Sequence, residues 1–179
     1  TKWLVKKVLA LRQGQERRVA DLGTGSGAIA LSLAIEHPEW QIIATDINPQ
    51  SLAVAQANAL KNSIQQVEFK LGSWLEPLTG LFDCIVSNPP YIANDDPHLT
   101  ALQYEPLGAL VAANNGLADL MEIVRLSSDF LHKKGWLVLE HGFQQGDEVQ
   151  ALFRQAGFVN VESGRDYGGN IRYSVGQKC

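Results

Sequence analysis

Short apolar runs alternate with longer segments of helical periodicity from Arg17 to the end of the chain. The apolar runs predict strands at 18–22, 41–46, 67–71, 82–87, 136–140, 158–163 and 171–176. Helices are predicted after Gly27, after Asn48-Pro49, and over roughly 117–131 and 144–156. An amphipathic helix is predicted within 1–16, and His37 and His132 each read as a helix C-terminus. The alternation indicates repeated βαβ units.

Repeated βαβ units predict an α/β fold, a doubly wound sheet of seven mostly parallel strands with helices on both faces. The last link, "SGRDYGGN", is rich in turn residues and has no helical pattern. The final strand is therefore expected to run antiparallel. The longest irregular stretch, 88–115, follows the fourth strand, where open α/β sheets bind ligands.

Composition narrows the class of protein. A chain of 179 residues predicts one domain, and its formal net charge of −4 argues against a protein that grips nucleic-acid backbones. Two cysteines, Cys84 and Cys179, are too few for a disulfide framework and favour a reducing cytoplasm. No apolar run approaches the ~20 residues that cross a bilayer, so no membrane association is expected.

A glycine-rich segment joins the first strand to the first helix in "DLGTGSGAIA". Glycines at Gly23, Gly25 and Gly27 let a ligand approach the backbone and permit positive φ, at a helix N-terminus that attracts anions. Asp46 ends the next strand, where an acid can accept both ribose hydroxyls of an adenosine. The pattern predicts a nucleoside cofactor and leaves open a dinucleotide or S-adenosylmethionine.

The fourth strand ends in "VSNPPY". Pro89 and Pro90 lack backbone donors, so this segment offers acceptors only, and it is either a simple strand breaker or a site for a donor-rich group.

Together, "DLGTGSG", "ATDINP" and "SNPPYI" resemble Rossmann-like class I S-adenosylmethionine-dependent methyltransferases that act on amino groups and carry an (Asn/Asp)-Pro-Pro-Tyr tetrad, here Asn88 to Tyr91. The resemblance implies that the tetrad is a clamp: the Asn88 side-chain oxygen and the Pro89 carbonyl would hold the two N–H groups of an amide or exocyclic amine, while Tyr91 stacks on it. Such a clamp would position a weak nitrogen nucleophile for methyl transfer. Further stretches resemble the HemK/PrmC family, the N5-glutamine methyltransferases of peptide chain release factors. These stretches are "NPPYIANDDPHL", "YEPLGALVAANNGL", "GWLVLEHGFQQGDEV" and "RDYGGNIR". The resemblance covers nearly the whole chain, and the "EPLGAL" and "LEHG" elements are its most specific parts.

The resemblance implies methyl transfer from S-adenosyl-L-methionine to the glutamine of a release factor's Gly-Gly-Gln motif, leaving S-adenosyl-L-homocysteine. It implies cofactor contacts from Asp21, Gly23, Thr24, Gly25, Ser26, Gly27, Asp46, Trp74 and Asn88, and a glutamine amide held by Asn88, Pro89, Pro90 and Tyr91. It also implies a cytoplasmic monomer with a protein substrate and no direct nucleic-acid partner. Residues 1–179 would form the catalytic domain, beginning with a linker at about 1–16, and the family's N-terminal helical docking domain would be absent.

Three departures from the family pattern affect the expected site. The segment "HLTALQYEP" is short, Gln103 replaces a common arginine, and Ser73 stands where many relatives have an acid facing the adenine amine. Trp74 could equally be packing, and Glu105 could orient the clamp or pair in solvent.

The same residues leave three alternative functions open. They are a nucleic-acid base methyltransferase, a non-catalytic cofactor-binding module and an NAD-dependent oxidoreductase. The oxidoreductase would fit the glycine-rich segment but would leave the tetrad unexplained. His98 and His141 lie nearer the expected site than His37 and His132, but the sequence has no metal-ligand spacing, so no metal is expected.

Overall fold

A single seven-stranded sheet forms the centre of the computed structural model, which describes residues 2–11, 17–90, 92–93, 111–112, 117–166 and 168–179. Its strands are β1 (Arg18–Leu22), β2 (Gln41–Asp46), β3 (Val67–Leu71), β4 (Phe82–Ser87), β7 (Leu131–Glu140), β8 (Val159–Arg165) and β9 (Ile171–Gln177). The strand order is β3-β2-β1-β4-β7-β9-β8. The strands β5 (Ile92–Ala93) and β6 (Val111–Ala112) pair separately, in parallel.

Helices cover both faces of this sheet. They are α1 (Lys2–Ala10), α2 (Ala28–Glu36), α3 (Pro49–Lys61), α4 (Ala118–Phe130) and α5 (Gly146–Gln155). Strand side chains alternate between two cores, so Val19 packs with α1, α2 and α3 while its neighbour Ala20 packs with α4 and α5. Burial on both faces explains why the central strands read as continuous apolar runs. No helix in the described ranges is long and apolar enough to cross a membrane.

The predicted fold class is confirmed. The strands β1, β2, β3, β4 and β7 are parallel neighbours, and β9 runs antiparallel to both β7 and β8. The parallel strands place their carboxyl ends on one edge of the sheet, and the turn between β8 and β9 reaches the same edge because Glu140 pairs with Tyr173. This edge positions the candidate site.

The predicted role of His132 is wrong. The helix α4 already ends at Phe130, and His132 lies in β7, which begins at Leu131 instead of at 136. The early part of β7 passes through an irregularity opposite Phe82 and Cys84, with Lys134 at φ 66°. This bulged start explains the missed strand, since the polar residues there are exposed and do not alternate. His37 does cap the end of α2.

Candidate functional site

The glycine-rich segment forms a tight turn between β1 and α2. Gly23, Gly25 and Gly27 have φ values of 66°, 56° and 84°, a region that disfavours residues with a Cβ. A Cβ on Gly23 would lie 2.8 Å from Cζ3 of Trp74, so the ring of that tryptophan packs directly on the turn. At Gly25 an added Cβ would meet nothing within 4 Å, so the loop is open to a ligand at this point.

Asp21 holds the glycine turn through hydrogen bonds. The residue is fully buried in β1, and its Oδ2 accepts hydrogen bonds from the Thr24 hydroxyl at 2.7 Å and from the backbone N–H of Ala30 at 3.1 Å. Its Oδ1 is buried with no partner. Burial raises the pKa of Asp21 to about 7, against the lowering effect of the two hydrogen bonds, with a small further rise from Asp46.

Asp46 fastens the glycine turn from the neighbouring strand. Its Oδ2 accepts from the backbone N–H of Gly25 at 2.8 Å, and its Oδ1 accepts from the backbone N–H of Asn48 at 2.9 Å. The side chain is only partly buried, so lone pairs of both oxygens remain open to a ligand hydroxyl. Ser26 is exposed, and its carbonyl accepts from the Asn58 side chain at 2.9 Å.

Two exposed apolar side chains flank Asp46, and the sequence reasoning missed both. Ile47 follows Asp46 in the chain and is 73% exposed. Leu71, at the end of β3, is the strand partner of Asp46 and is 58% exposed. A flat base could lie against them. The signal in the sequence was an apolar residue directly after the acid in "ATDINP".

Asn88 lies directly after β4, whose last residue Ser87 pairs with Leu22 and with Leu139. The Ser87 hydroxyl donates to the Leu22 carbonyl at 2.7 Å, which ties the end of β4 to the start of the glycine turn. The Asn88 Oδ1 is buried and has no hydrogen-bond partner. Pro89 is buried and Pro90 half-buried, whereas Tyr91, His98, Gln103 and Glu105 lie outside the described residues.

The "LEHG" element forms the adjacent end of β7. His141 is fully buried, with Nδ1 2.9 Å from the Gly142 carbonyl and Nε2 2.9 Å from the Ser174 hydroxyl. A carbonyl can only accept, so Nδ1 carries the proton and Ser174 donates to Nε2. Burial lowers the pKa of His141, which keeps the ring neutral and free to hold this turn. Across the described part of the chain, no three His, Cys, Asp or Glu side chains group as metal ligands would.

The structure therefore brings most of the predicted site residues to one edge. Four predicted features lie at the carboxyl ends of neighbouring strands. They are the glycine turn after β1, Asp46 at the end of β2, Trp74 after β3 and Asn88 after β4. Two buried acceptors, Asp21 Oδ1 within β1 and Asn88 Oδ1 directly after β4, have no hydrogen-bond partner among the described residues. Buried polar atoms are almost always paired in folded proteins, so such a pair indicates a place for ligand donors.

Comparison with known proteins identifies the domain. Residues 1–105, which include the glycine turn and the tetrad, match the model of the methyltransferase small domain. The chain belongs to this family.

The curated relatives agree with the resemblance predicted from the motifs. Over 99% of its length, the chain is 44% identical to the release factor glutamine methyltransferase of Aliivibrio fischeri and 46% identical to that of Escherichia coli. It is 49% identical to the protein of the same name from Yersinia pestis. The chain spans only 64% to 65% of the length of these relatives.

Solved structures confirm the fold. A ribosomal protein L11 methylase from Lactobacillus delbrueckii matches all of this chain with a TM-score of 0.74 at 21% identity, over 79% of its own length. A methyltransferase from Pyrococcus furiosus matches 99% of the chain with the same TM-score at 19% identity, over 81% of its own length. The chain thus has the class I methyltransferase fold.

Proposed function

We propose that this domain transfers a methyl group from S-adenosylmethionine to the side-chain amide nitrogen of the glutamine in a release factor's Gly-Gly-Gln loop. Relatives at 44% to 49% identity bear the name release factor glutamine methyltransferase. The observation that carries the proposal is the unpaired, buried Asn88 Oδ1 at the end of β4, beside the glycine turn. Residues 1–179 act as one catalytic domain, in the cytoplasm and as a monomer.

The unpaired acceptors favour S-adenosylmethionine over a dinucleotide. This cofactor carries an ammonium group and a sulfonium centre, and when bound it supplies an electrophilic methyl group. Its ammonium can donate to Asp21 Oδ1, which needs a donor, whereas the pyrophosphate of NAD offers only acceptors. Asp46 would accept from the ribose hydroxyls, with Ile47, Leu71 and Trp74 against the base.

The substrate amide fits the second acceptor. The Asn88 oxygen and the Pro89 carbonyl would accept the two N–H groups of the glutamine, with Pro90 and Tyr91 completing the clamp. Holding both N–H groups fixes the amide nitrogen in the orientation it needs for transfer. The nitrogen's surplus proton can leave to water after transfer, so no strong general base is required of the chain.

The proposed substrate is tested by finding which residue receives the methyl group. We expect the chain, given S-adenosylmethionine and a release factor, to add one methyl group to the Gly-Gly-Gln glutamine, as seen by peptide mass spectrometry. A release factor with that glutamine replaced by alanine is the matched control and should stay unmodified. Parallel reactions with DNA and RNA test the alternative substrate class. Methylation of another residue, or of nucleic acid with the factor untouched, contradicts the proposal.

The raised pKa of Asp21 predicts that the free energy of unfolding and the binding of the cofactor both depend on pH. Since its folded pKa, about 7, lies above its ordinary value of 3.8, the native state binds more protons than the unfolded state between these values. Asp21 therefore lowers the free energy of unfolding progressively as pH rises from about 4 to about 7, with no further loss above. A bound ammonium favours the ionised carboxylate, so cofactor binding at pH 7 should release a fraction of a proton.

Calorimetry at pH 7 in phosphate and in Tris measures this release. The binding enthalpy of the wild type should differ between the two buffers because their ionisation enthalpies differ. Asp21→Asn should bind more weakly, with the same enthalpy in both buffers. Equal enthalpies for the wild type would contradict the role of Asp21.

A further inference from the structure

Thr45 connects the two segments that bound the candidate cofactor site. It precedes Asp46 in β2 and is fully buried. Its carbonyl accepts from the backbone N–H of Thr24 at 2.9 Å, inside the glycine turn. Its hydroxyl donates to the carbonyl of Trp74 at 2.8 Å. One buried residue therefore holds both the turn and the tryptophan.

Trp74 needs such support because its backbone is strained. Its φ is 42°, in the left-handed region that residues with a Cβ seldom adopt. Strained residues of this kind persist only where the surrounding structure over-determines them, and they cluster at functional sites. Here the constraints are the hydrogen bond from the Thr45 hydroxyl and the packing of the ring on Gly23.

We propose that Thr45 is a positioning residue, whose hydroxyl holds Trp74 in its strained conformation so that the ring forms a preset wall of the cofactor pocket. This inference rests on the proposed function for its cofactor. Without the hydroxyl, the Trp74 backbone can relax, and the ring can leave Gly23. The cofactor would then have to order this wall on binding, and its affinity would fall.

Two substitutions isolate the hydroxyl. Thr45→Val keeps the shape of the side chain and removes the hydrogen bond, whereas Thr45→Ser keeps the hydrogen bond. We expect the dissociation constant for S-adenosylmethionine to rise about 3- to 10-fold in Thr45→Val and to stay within about twofold in Thr45→Ser. The turnover rate at saturating cofactor should change much less than the dissociation constant, because Thr45 does not touch the reacting atoms.

Ser127→Ala is the matched control for a merely structural effect. The Ser127 hydroxyl is also buried and donates to a carbonyl, that of Ile123 at 2.6 Å, but within α4. This variant should keep the cofactor affinity of the wild type. Thr45→Val with wild-type affinity, or Ser127→Ala with an equal loss of affinity, would overturn the proposal.

Fluorescence without cofactor separates this inference from the proposed function. The difference in emission between the wild type and Trp74→Phe gives the contribution of Trp74, and Thr45→Val should shift that contribution to longer wavelength as the ring becomes hydrated. Thr45→Ser should not. If the wild type fails to bind S-adenosylmethionine, the proposed function is wrong. The fluorescence emission then tests by itself whether Thr45 positions Trp74. An unshifted Trp74 contribution in Thr45→Val would overturn that role.

Discussion

Asn88→Ala is expected to lower the rate of methyl transfer by about 10²–10³, the usual effect of removing one preorganised group that acts on the transition state. Cofactor affinity should fall much less, because the Asn88 oxygen serves mainly to hold the acceptor nitrogen during transfer. Single-turnover kinetics with a release factor, alongside calorimetry with S-adenosylmethionine, measures the two effects separately.

The same substitution should not lower the melting temperature. The Asn88 Oδ1 has no partner among the described residues, so its removal breaks no hydrogen bond there and relieves a buried, unpaired acceptor. Stability retained with activity lost is the signature of a residue kept for function. Asn88→Asp, which keeps acceptor oxygens, is the matched variant and should retain more activity than Asn88→Ala. A near-normal rate of methyl transfer in Asn88→Ala would show that the Asn88 oxygen does not hold the acceptor nitrogen.

The centre of the sheet could be predicted because its strands are buried on both faces. The ranges for β1, β2 and β4 coincide with apolar runs in the sequence, since side chains on both sides of each strand enter a core. The edge strand β3 could be predicted from its alternation, since only Val67 and Phe69 pack against a core. The start of β7 could not be predicted. It pairs through a bulge, and its positive φ at Lys134 is stabilised by a hydrogen bond to the carbonyl of Lys178, far away in the sequence.

The candidate site was predictable where one segment supplies both the conformation and the chemistry. The glycine turn and the segment Asn88-Pro89-Pro90 are of this kind, because glycine and proline dictate the backbone locally. Thr45 and Leu71 act through neighbouring strands or loops, so nothing in their own segments marks them. The same holds for Trp74, whose left-handed backbone is imposed by its contacts and not by its residue type.

Asp46→Ala is expected to weaken S-adenosylmethionine binding by about 1–3 kcal/mol, a 5- to 150-fold rise in the dissociation constant. The variant loses the acceptors for the ribose hydroxyls. It also loses the bonds to the backbone N–H groups of Gly25 and Asn48, so the glycine turn is no longer fastened to β2. Asp46→Asn keeps one acceptor oxygen and should fall between the wild type and Asp46→Ala.

Asp166 provides the control for a general loss of carboxylate contacts. Its Oδ1 also accepts from two backbone N–H groups, those of Gly168 at 2.9 Å and Asn170 at 3.0 Å, but in the turn between β8 and β9. Asp166→Ala should therefore leave cofactor affinity unchanged. Calorimetry of all three variants with S-adenosylmethionine and with NAD completes the test. Tighter binding of NAD by the wild type, or equal losses in Asp46→Ala and Asp166→Ala, would show that Asp46 does not hold the ribose of this cofactor.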